Sequence, residues 1–299
     1  MKILLLGKNG QVGWELQRAL APLGEVIACD FDSPPELRCD FAQPDTLPAL
    51  IGRVQPQLIV NSAAHTAVDK AESEPDFARL LNATAPGVVA REAAALGVPL
   101  LHYSTDYVFD GSGHAPRDES APTGPLSVYG HTKLEGEELI RASGCRHLIL
   151  RASWVYAARG GNFARTMLRL AAERDVLNVI DDQFGAPTGA DLLADVSAHA
   201  LRRLMAEPAL SGTYHCVAGG ATNWFDYARL VIEWARSRGH AIRVAPDAIR
   251  PIATRAYPTP ARRPLNSRLA TDKLQRAFGL KLPPWQAGVE RMLAEVLGH

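Results

Sequence analysis

The sequence predicts an α/β protein built on a doubly wound parallel sheet, and two observations support that class. Short apolar runs alternate with longer amphipathic stretches through the first half of the chain, and a glycine-rich turn follows the first apolar run. Short apolar runs are typical of strands buried on both faces, and their alternation with helices produces right-handed parallel crossovers. The predicted fold is therefore of the Rossmann type, with a smaller C-terminal lobe.

Each element follows from its apolar pattern. Strands are predicted at residues 3–6, 26–28, 58–60, 100–102 and 148–150, with a further strand at 176–180. Helices are predicted at residues 11–21, 45–53, 75–96, 129–142, 162–174, 191–205, 223–238 and 285–297. A glycine-proline turn is predicted at residues 185–189. Residues 245–268 are rich in proline and arginine, and we expect a long functional loop there.

Composition excludes several classes of protein. The 299 residues carry 32 basic and 32 acidic side chains, so the formal net charge is zero and no basic block indicates nucleic-acid binding. No apolar run approaches the ~20 residues of a membrane span. The four cysteines lack metal-ligand or redox spacing, which favours reduced thiols and a cytoplasmic location.

The turn after the first predicted strand has the pattern Gly-x-x-Gly-x-x-Gly. Its glycines are Gly7, Gly10 and Gly13, and Gln11 and Val12 begin the following helix. Missing side chains let a pyrophosphate approach the backbone, and the amides of a helix N-terminus bind its charge. Because the turn stands between a strand and a helix, we predict a dinucleotide site.

Further cofactor contacts are predicted after the second and third strands. Asp30 can accept hydrogen bonds from both adenosine-ribose hydroxyls, which favours NADH, whereas the nearby Arg38 favours a 2′-phosphate. The choice between NADH and NADPH therefore stays open. Asp40 and Phe41 are candidates to flank the adenine. His65, at the end of the third strand, is either a ligand contact or a loop histidine satisfied by the protein.

A tyrosine, a lysine and a threonine indicate proton-transfer chemistry. Tyr129 and Lys133 lie four residues apart, so they project from one face of a helix, and we expect the ammonium to lower the tyrosine pKa towards neutrality. The spacing alone is weak. Thr105 ends the fourth predicted strand, whose carboxyl end faces the crevice of such a sheet, and its hydroxyl can bond the same substrate carbonyl.

A substrate pocket is predicted beside these groups. The indole of Trp154 suits a sugar or thymine face, although a core tryptophan is the alternative. Tyr107 and Val68 are lesser pocket candidates. The arginine-rich segment 262–268, which includes Asn266 and Arg268, offers guanidinium groups for a diphosphate.

These motifs together resemble the extended short-chain dehydrogenase/reductase family, whose members act on nucleotide sugars. The resemblance runs from Met1 to about Leu297. Its most specific segments lie at residues 7–16, 64–72, 104–109, 154–156, 183–189 and 263–269.

The resemblance implies a particular activity and set of roles. NADH or NADPH would deliver hydride to C4 of dTDP-4-dehydro-β-L-rhamnose, giving dTDP-L-rhamnose in the last step of its synthesis. Tyr129 would be the proton donor, Lys133 would bond the nicotinamide ribose, and Thr105 would orient the carbonyl. Cofactor contacts would also come from Gly10, Gln11, Val12, Asp30, Asp40, Phe41, Ala64, His65, Thr66 and Tyr103. The sugar nucleotide would be held by Thr105, Asp106 and Trp154.

Two lobes are expected on this basis. Residues 1–154, with about 186–222, would form the NAD(P)-binding Rossmann domain. Residues 155–185 and 223–299 would form the nucleotide-sugar-binding lobe.

Two other functions stay open at this point. A nucleotide-sugar epimerase shares the threonine, tyrosine and lysine, but it recycles tightly bound NAD instead of consuming cofactor. A catalytically silent regulatory subunit keeps the fold, but it usually lacks the tyrosine or the lysine. A dehydratase is disfavoured because Asp106 is followed by Tyr107 and not by a glutamate.

The resemblance also implies a possible homodimer and a Mg²⁺ site at its interface. The matching positions are Glu15, Asp191 and Glu295. Oxygen ligands suit Mg²⁺, but Asp191 has a shorter reach than the glutamate of the family pattern. Solvated helix carboxylates are the alternative.

Overall fold

The computed structural model describes residues 1–298. Its strands are β1 (Lys2–Leu6), β2 (Glu25–Cys29), β3 (Leu58–Asn61), β4 (Leu100–Thr105), β5 (His147–Ala152), β6 (Val155–Tyr156), β7 (Leu177–Ile180), β8 (Phe184–Gly185), β9 (Thr188–Gly189), β10 (Gly212–His215), β11 (Thr222–Asn223) and β12 (Ile249–Ile252). Its helices are α1 (Gln11–Leu20), α2 (Leu47–Val54), α3 (Val68–Ala71), α4 (Pro75–Arg79), α5 (Ala85–Leu96), α6 (Val128–Ala142), α7 (Phe163–Glu173), α8 (Ala190–Ala206), α9 (Trp224–Ser237), α10 (Asp272–Phe278) and α11 (Trp285–Leu297).

A six-stranded sheet in the order β10-β5-β4-β3-β1-β2 forms the centre of the molecule. All five strand pairs are parallel. The order reverses at β1, because β2 lies on one side of it and β3 on the other. Such a reversal opens a crevice at the carboxyl ends of the strands. The predicted doubly wound sheet is confirmed.

Alternate side chains of the sheet build two separate cores. Ile3 and Leu5 of β1 pack with α1 and α8 on one face, whereas Leu4 and Leu6 pack with α2 and α5 on the other. This period-2 alternation, with both faces apolar, is the reason that the strands are continuous hydrophobic runs in the sequence.

A third core lies between α7, α9 and α11. Tyr227, Val231, Val289 and Leu293 are buried in it. It contains mainly residues of the predicted second lobe, although α10, from the same range, packs its side chains on the first face of the sheet. The exact division into two lobes stays a prediction.

Several sequence predictions about elements need correction. The helix predicted at 75–96 is interrupted by a π-helical stretch at Leu80–Thr84. Pro86 lacks the N–H that would bond the carbonyl of Asn82, and a wider turn accommodates that loss.

Strands β10 and β12 were not predicted. Strand β10 is an edge strand that extends the sheet beside β5. It was not predicted because its residues do not form an apolar run. Strand β12 lies inside the predicted loop 245–268 and pairs in parallel with β7, and its Pro251 is compatible with an edge strand. Helices α3 and α10 were also missed, since each has fewer than eight residues.

No helix among residues 1–298 is both long enough and apolar enough to span a membrane.

Candidate active site

The glycine turn lies where the strand order reverses. Gly7 has φ +88°, and a Cβ there would lie 2.6 Å from the amide nitrogen of Ala63 after β3. A Cβ on Gly13 would lie 1.9 Å from the carbonyl oxygen of Gly7, so α1 packs directly on the turn. Both positions therefore require glycine.

The space outside this turn is open. An added Cβ at Gly10 would have the Gly7 carbonyl, at 3.7 Å, as its only neighbour within 4 Å. Gln11 and Val12 begin α1, whose first turn has no acidic residue and no side-chain cap. The free amides of this turn suit a pyrophosphate, so the residues fit a dinucleotide.

The carboxylate of Asp30 is held at the end of β2 by two backbone amides. It accepts from the N–H of Asn9 at 3.0 Å and from the N–H of Phe31 at 2.8 Å. Lys8 Nζ donates to Ser33 Oγ at 2.9 Å close by, and Arg38 is exposed. Groups for both a 2′-hydroxyl and a 2′-phosphate therefore lie near this strand end.

The two residues predicted to flank the adenine have different environments. Asp40 accepts from the N–H of Ala42 at 2.9 Å and stays partly accessible. Phe41 is 5% exposed and belongs to the core beneath the sheet. Its placement favours a supporting role over a broad contact with a ligand.

The segment after β3 is locked by a buried asparagine. Asn82 accepts from the N–H of His65 at 2.8 Å and donates to its carbonyl at 3.1 Å. The ring Nε2 of His65 bonds Glu74 at 2.7 Å, whereas its buried Nδ1 has no hydrogen-bond partner among residues 1–298, so the protein satisfies one ring nitrogen. Ala64 and Thr66 flank it and are more accessible.

Thr105 and Tyr129 meet at the carboxyl end of β4. Thr105 Oγ1 donates to Asp106 Oδ1 at 3.1 Å and accepts from the N–H of Tyr107 at 3.2 Å. Helix α6 begins at a serine cap, since Ser127 Oγ accepts from the N–H of Gly130 at 3.2 Å. That cap fixes the first turn, which carries Tyr129.

The expectation that Lys133 lowers the tyrosine pKa is wrong for this structure. Burial raises the pKa of Tyr129 to about 12, hydrogen bonding with Thr105 opposes the rise, and the charge of Asp106 adds to it. The lysine is engaged elsewhere: its Nζ donates to the carbonyl oxygen of Tyr103 at 2.6 Å and lies 3.2 Å from His102 Nε2.

Lys133 itself is almost fully buried, at 2% exposure. Burial lowers its pKa to about 8, against the opposing effect of Glu137 one turn further along α6. Glu137 is buried with Arg151, which donates to it at 2.6 Å and 2.8 Å. Near neutral pH the lysine is therefore an ammonium that loses its proton readily.

Asp106 is the buried acid of the site. Burial raises its carboxyl pKa to about 6, while hydrogen bonds from Ser267 and Thr105 oppose the rise. The ring of Tyr107 lies edge-on to Tyr129, with centroids 5.4 Å apart. Val68 is half-buried and begins α3, which packs against the Tyr129 helix α6.

Trp154 has a strained backbone and an aromatic partner. Its φ of +49° is in the left-handed region, where a bulky residue is rare and often has a functional reason. Its indole stacks on Trp224, with centroids 3.6 Å apart, and the close approach of its ring requires glycine at position 185.

A cavity of about 700 Å³ opens beside this stack. Trp224 lines it, and its indole N–H donates to Gln183 Oε1 at 3.1 Å. Asp69 and Arg263 form an ion pair at 2.8 Å on the same wall. Trp224 and Asp69 were not predicted as site residues, because only the fold brings α9 and α3 to this cavity.

Asn266 and Arg268, predicted as substrate contacts, bond a neighbouring loop. The Asn266 amide donates to the carbonyl of Ala115 at 2.9 Å, and the Arg268 guanidinium donates to the carbonyl of His114 at 2.7 Å. The guanidinium also lies over the ring of Phe184 at 4.3 Å. Neither residue lines the large cavity.

The three predicted metal ligands line another cavity, of about 420 Å³. Asp191 pairs there with Arg291 at 3.2 Å, and Glu15 lies 3.5 Å from Arg18. The described residues contain no group of three or more side chains that could hold a metal ion. Within one subunit, arginines pair with two of the three carboxylates, so the described residues offer no open Mg²⁺ site.

The reversing sheet, the glycine turn and the Thr105, Tyr129 and Lys133 set define an extended short-chain dehydrogenase/reductase, a class of nicotinamide-dependent oxidoreductases. The sequence model of the family described as "RmlD substrate binding domain" matches residues 1–297. The chain belongs to this family.

Relatives agree with that assignment. The chain is 57% identical to the dTDP-4-dehydrorhamnose reductase of Shigella flexneri, over 99% of this chain and 98% of the relative. It is 56% identical to that of Escherichia coli K12, with the same coverage. Among solved structures, the dTDP-4-dehydrorhamnose reductase of Bacillus anthracis in complex with NADP has a TM-score of 0.88 at 30% identity, covering 98% of this chain and 99% of that one.

Proposed function

We propose that this protein reduces the C4 keto group of dTDP-4-dehydro-β-L-rhamnose to dTDP-L-rhamnose, with NADPH or NADH as the hydride donor. One observation carries the proposal. Thr105 and Tyr129 meet at the crevice in a chain that is 57% identical to a dTDP-4-dehydrorhamnose reductase over nearly its whole length.

The tyrosine has the protonation state that a reduction needs. With its pKa raised to about 12, Tyr129 remains a phenol at neutral pH and can donate a proton to the alkoxide that develops at C4. Thr105 orients the same oxygen and stabilises the phenolate that remains. A bound reduced nicotinamide supplies the hydride.

The dinucleotide would lie on the glycine turn. Gly7, Gly10, Gln11, Val12 and Gly13 would hold its pyrophosphate. The remaining contacts would come from the residues at the ends of the neighbouring strands and from the first turns of α6: Asp30, Asp40, Phe41, Ala64, His65, Thr66, Tyr103, Tyr129 and Lys133.

The sugar nucleotide would lie between the crevice and the cavity of about 700 Å³. Thr105, Asp106 and Tyr107 would contact the sugar, with Val68 and the stacked Trp154 at the side. Arg263 would exchange its ion pair with Asp69 for the diphosphate. Asn266 and Arg268 would support the site through the loop that they bond.

The decisive assay mixes the enzyme with the dTDP-keto-sugar and either NADPH or NADH. A stoichiometric fall of the reduced-nicotinamide absorbance supports a reductase. An unchanged absorbance would refute it, and interconversion of sugar epimers without added cofactor would identify an epimerase instead. Parallel titrations with both nicotinamides measure the cofactor preference that Asp30 and Arg38 leave open.

Predictions about the oligomeric state and the cellular location belong to this proposal. A homodimer is expected, and sedimentation of the full chain tests it. A cytoplasmic location is expected for an enzyme that consumes reduced nicotinamide, and cell fractionation tests it. Mg²⁺ is left out of the proposed chemistry, because arginines pair with two of the three carboxylates at its expected site, and metal analysis of the dialysed protein tests this.

A further inference from the structure

A buried histidine and a buried asparagine accompany the lysine of the active site. His102 on β4 and Asn61 on β3 are direct neighbours in the parallel register of the sheet. Each is 1% exposed. A polar pair at the centre of an apolar sheet is costly unless its hydrogen bonds are specific, so its arrangement calls for a reason.

The backbone fixes which way the Asn61 amide points. Its Oδ1 accepts from the N–H of Ala63 at 3.0 Å, so the remaining amide group, Nδ2, is a donor. Nδ2 lies 3.0 Å from His102 Nδ1. His102 Nδ1 must therefore accept that hydrogen bond and carries no proton.

The tautomer of His102 follows from this assignment. A neutral imidazole without a proton on Nδ1 carries it on Nε2. Burial, and next the charge of Lys133, lower the His102 pKa well below its usual value, so the ring stays neutral. Its Nε2–H then points at Lys133 Nζ, 3.2 Å away.

An N–H directed at Nζ discriminates between the two forms of the lysine. The amine offers a lone pair and accepts the hydrogen bond, whereas the ammonium has only donors and meets the N–H unfavourably. His102 Nε2 could accept a hydrogen bond from the ammonium only if the ring proton moved to Nδ1. Asn61 would then have to rotate its amide and lose the hydrogen bond from the Ala63 N–H. The geometry thus opposes the charged lysine.

We propose that His102 is a positioning residue for Lys133: held by Asn61 with its Nε2–H towards Nζ, it fixes that nitrogen and favours the amine that remains after the lysine has released a proton. This inference rests on the proposed reductase function. When Tyr129 has given its proton to the C4 alkoxide, Lys133, one turn further along α6, would supply the proton that restores the phenol. The lysine would then be the amine that His102 stabilises, and it would regain its proton from solvent before the next turnover.

Four other charged or titratable side chains lie on the elements that carry or flank Lys133 and His102. They are Glu137 and Tyr129 on α6, Arg151 on β5, and Asp106 directly after β4. Glu137 favours the ammonium and is itself paired with Arg151. Because all four remain in the variants described next, a change in titration would report on His102.

The kinetic test compares two substitutions. In His102→Gln, the side-chain oxygen can turn towards Nζ and accept from the ammonium, so the basic limb of the pH profile of kcat/KM should move up by about half a pH unit or more. His102→Phe also removes the N–H but offers no acceptor to the ammonium, so its limb should move up less than that of His102→Gln. The proposal would be overturned by the absence of an upward shift in His102→Gln, or by a shift in His102→Phe that equals or exceeds it.

A second measurement needs no variant and no turnover. Neutron diffraction from crystals of the perdeuterated wild-type protein should show a deuteron on His102 Nε2 and none on Nδ1, at pH 6 and at pH 9. A deuteron on Nδ1 at either pH would overturn the inference. Loss of the proposed function would appear separately, as wild-type protein that leaves reduced nicotinamide unconsumed.

Discussion

At the scale of single residues, the site depends on how burial changes acids and bases. Tyr129, Lys133 and Asp106 all have shifted pKa values, and desolvation is the largest cause for each. Burial disfavours the charged form, so it keeps the tyrosine and the aspartate protonated more often and the lysine less often. Each shift predicts an observable behaviour.

Replacement of Tyr129 by phenylalanine should remove the proton donor. We expect kcat to fall by about 10²- to 10⁴-fold, because one positioned acid contributes that much, while the affinity for NADPH stays nearly unchanged. Steady-state kinetics and fluorescence titration measure the two quantities. Tyr214→Phe is the matched control, since this buried hydroxyl bonds the carbonyl of Leu210 outside the site. Undiminished turnover would show that the tyrosine is not catalytic.

The pH dependence should follow Lys133. Its pKa is lowered from 10.5 to about 8, so the lysine is an ammonium below that pH and an amine above it. Only the ammonium can return a proton to the phenolate that Tyr129 leaves behind. We therefore expect kcat/KM for the nicotinamide cofactor, which reports the free enzyme, to fall about tenfold per pH unit above pH ~8. A flat profile between pH 7 and pH 9.5 would contradict this assignment.

We expect the buried carboxyl group of Asp106, which belongs to the active site, to lower the stability of the folded protein. Its pKa is raised from 3.8 to about 6, so the folded state binds the proton more tightly, and stability falls as the pH rises through that window. Two pKa units correspond to at most about 3 kcal/mol. Asp106→Asn should therefore raise Tm by a few degrees at pH 8 and have little effect on it at pH 3.5, with reduced turnover. Equal effects at both pH values in thermal melts would refute the linkage.

At the scale of elements, helix α6 positions the catalytic side chains of the proposed site. Its capped first turn carries Tyr129, its second carries Lys133, and its third packs against the π-helical stretch Leu80–Thr84. Gly136 allows that contact, because a Cβ there would lie 2.1 Å from the carbonyl oxygen of Asn82. The same Asn82 locks the segment that holds His65.

Gly136→Ala should therefore force α6 away from its neighbour. We expect a loss of about 2 kcal/mol or more in the free energy of unfolding, measured in urea, together with lower turnover. Gly52→Ala in α2 is the matched control. An added Cβ at Gly52 has no neighbour within 4 Å, so this change should stabilise by about 0.5–1 kcal/mol. Equal effects of the two substitutions would exclude a packing cause.

The elements also show how far sequence reasoning reaches. Long periodic helices such as α11 were predicted at their observed bounds, since apolar spacing is a local property. The break before Pro86 and the strand β12 were not, because neighbouring segments decide them. An edge strand with a proline is defined by its partner and not by its own pattern.

At the scale of the whole molecule, the segment 245–268 returns to the Rossmann sheet. Asp69 in α3 accepts from the N–H of Ala261 at 3.2 Å and from the Arg263 guanidinium at 2.8 Å. These contacts hold one wall of the large cavity beside Tyr107. They join residues that are nearly two hundred positions apart in the chain.

Asp69→Ala should loosen that wall without unfolding the protein. The ion pair is partly exposed, so we expect a change of less than about 1 kcal/mol in stability. The KM for the sugar nucleotide should rise several-fold, and kcat should change less. Asp175→Ala, which breaks an exposed pair with Arg243 on the surface, is the control. A KM unchanged by Asp69→Ala would show that the wall does not contact the substrate.

The sequence by itself determined the doubly wound sheet, the glycine turn, the threonine, tyrosine and lysine set, and the family resemblance. The spacing of residues within short stretches of sequence defines those features, since a strand, a turn and a helix face each occupy one such stretch. The tertiary structure decided the rest: the phenol stays protonated, Lys133 bonds the carbonyl of Tyr103 and His102, Trp224 stacks on Trp154, and arginines pair with two of the three carboxylates at the expected metal site. Each of these depends on burial or on contacts between distant segments, which only the folded chain creates.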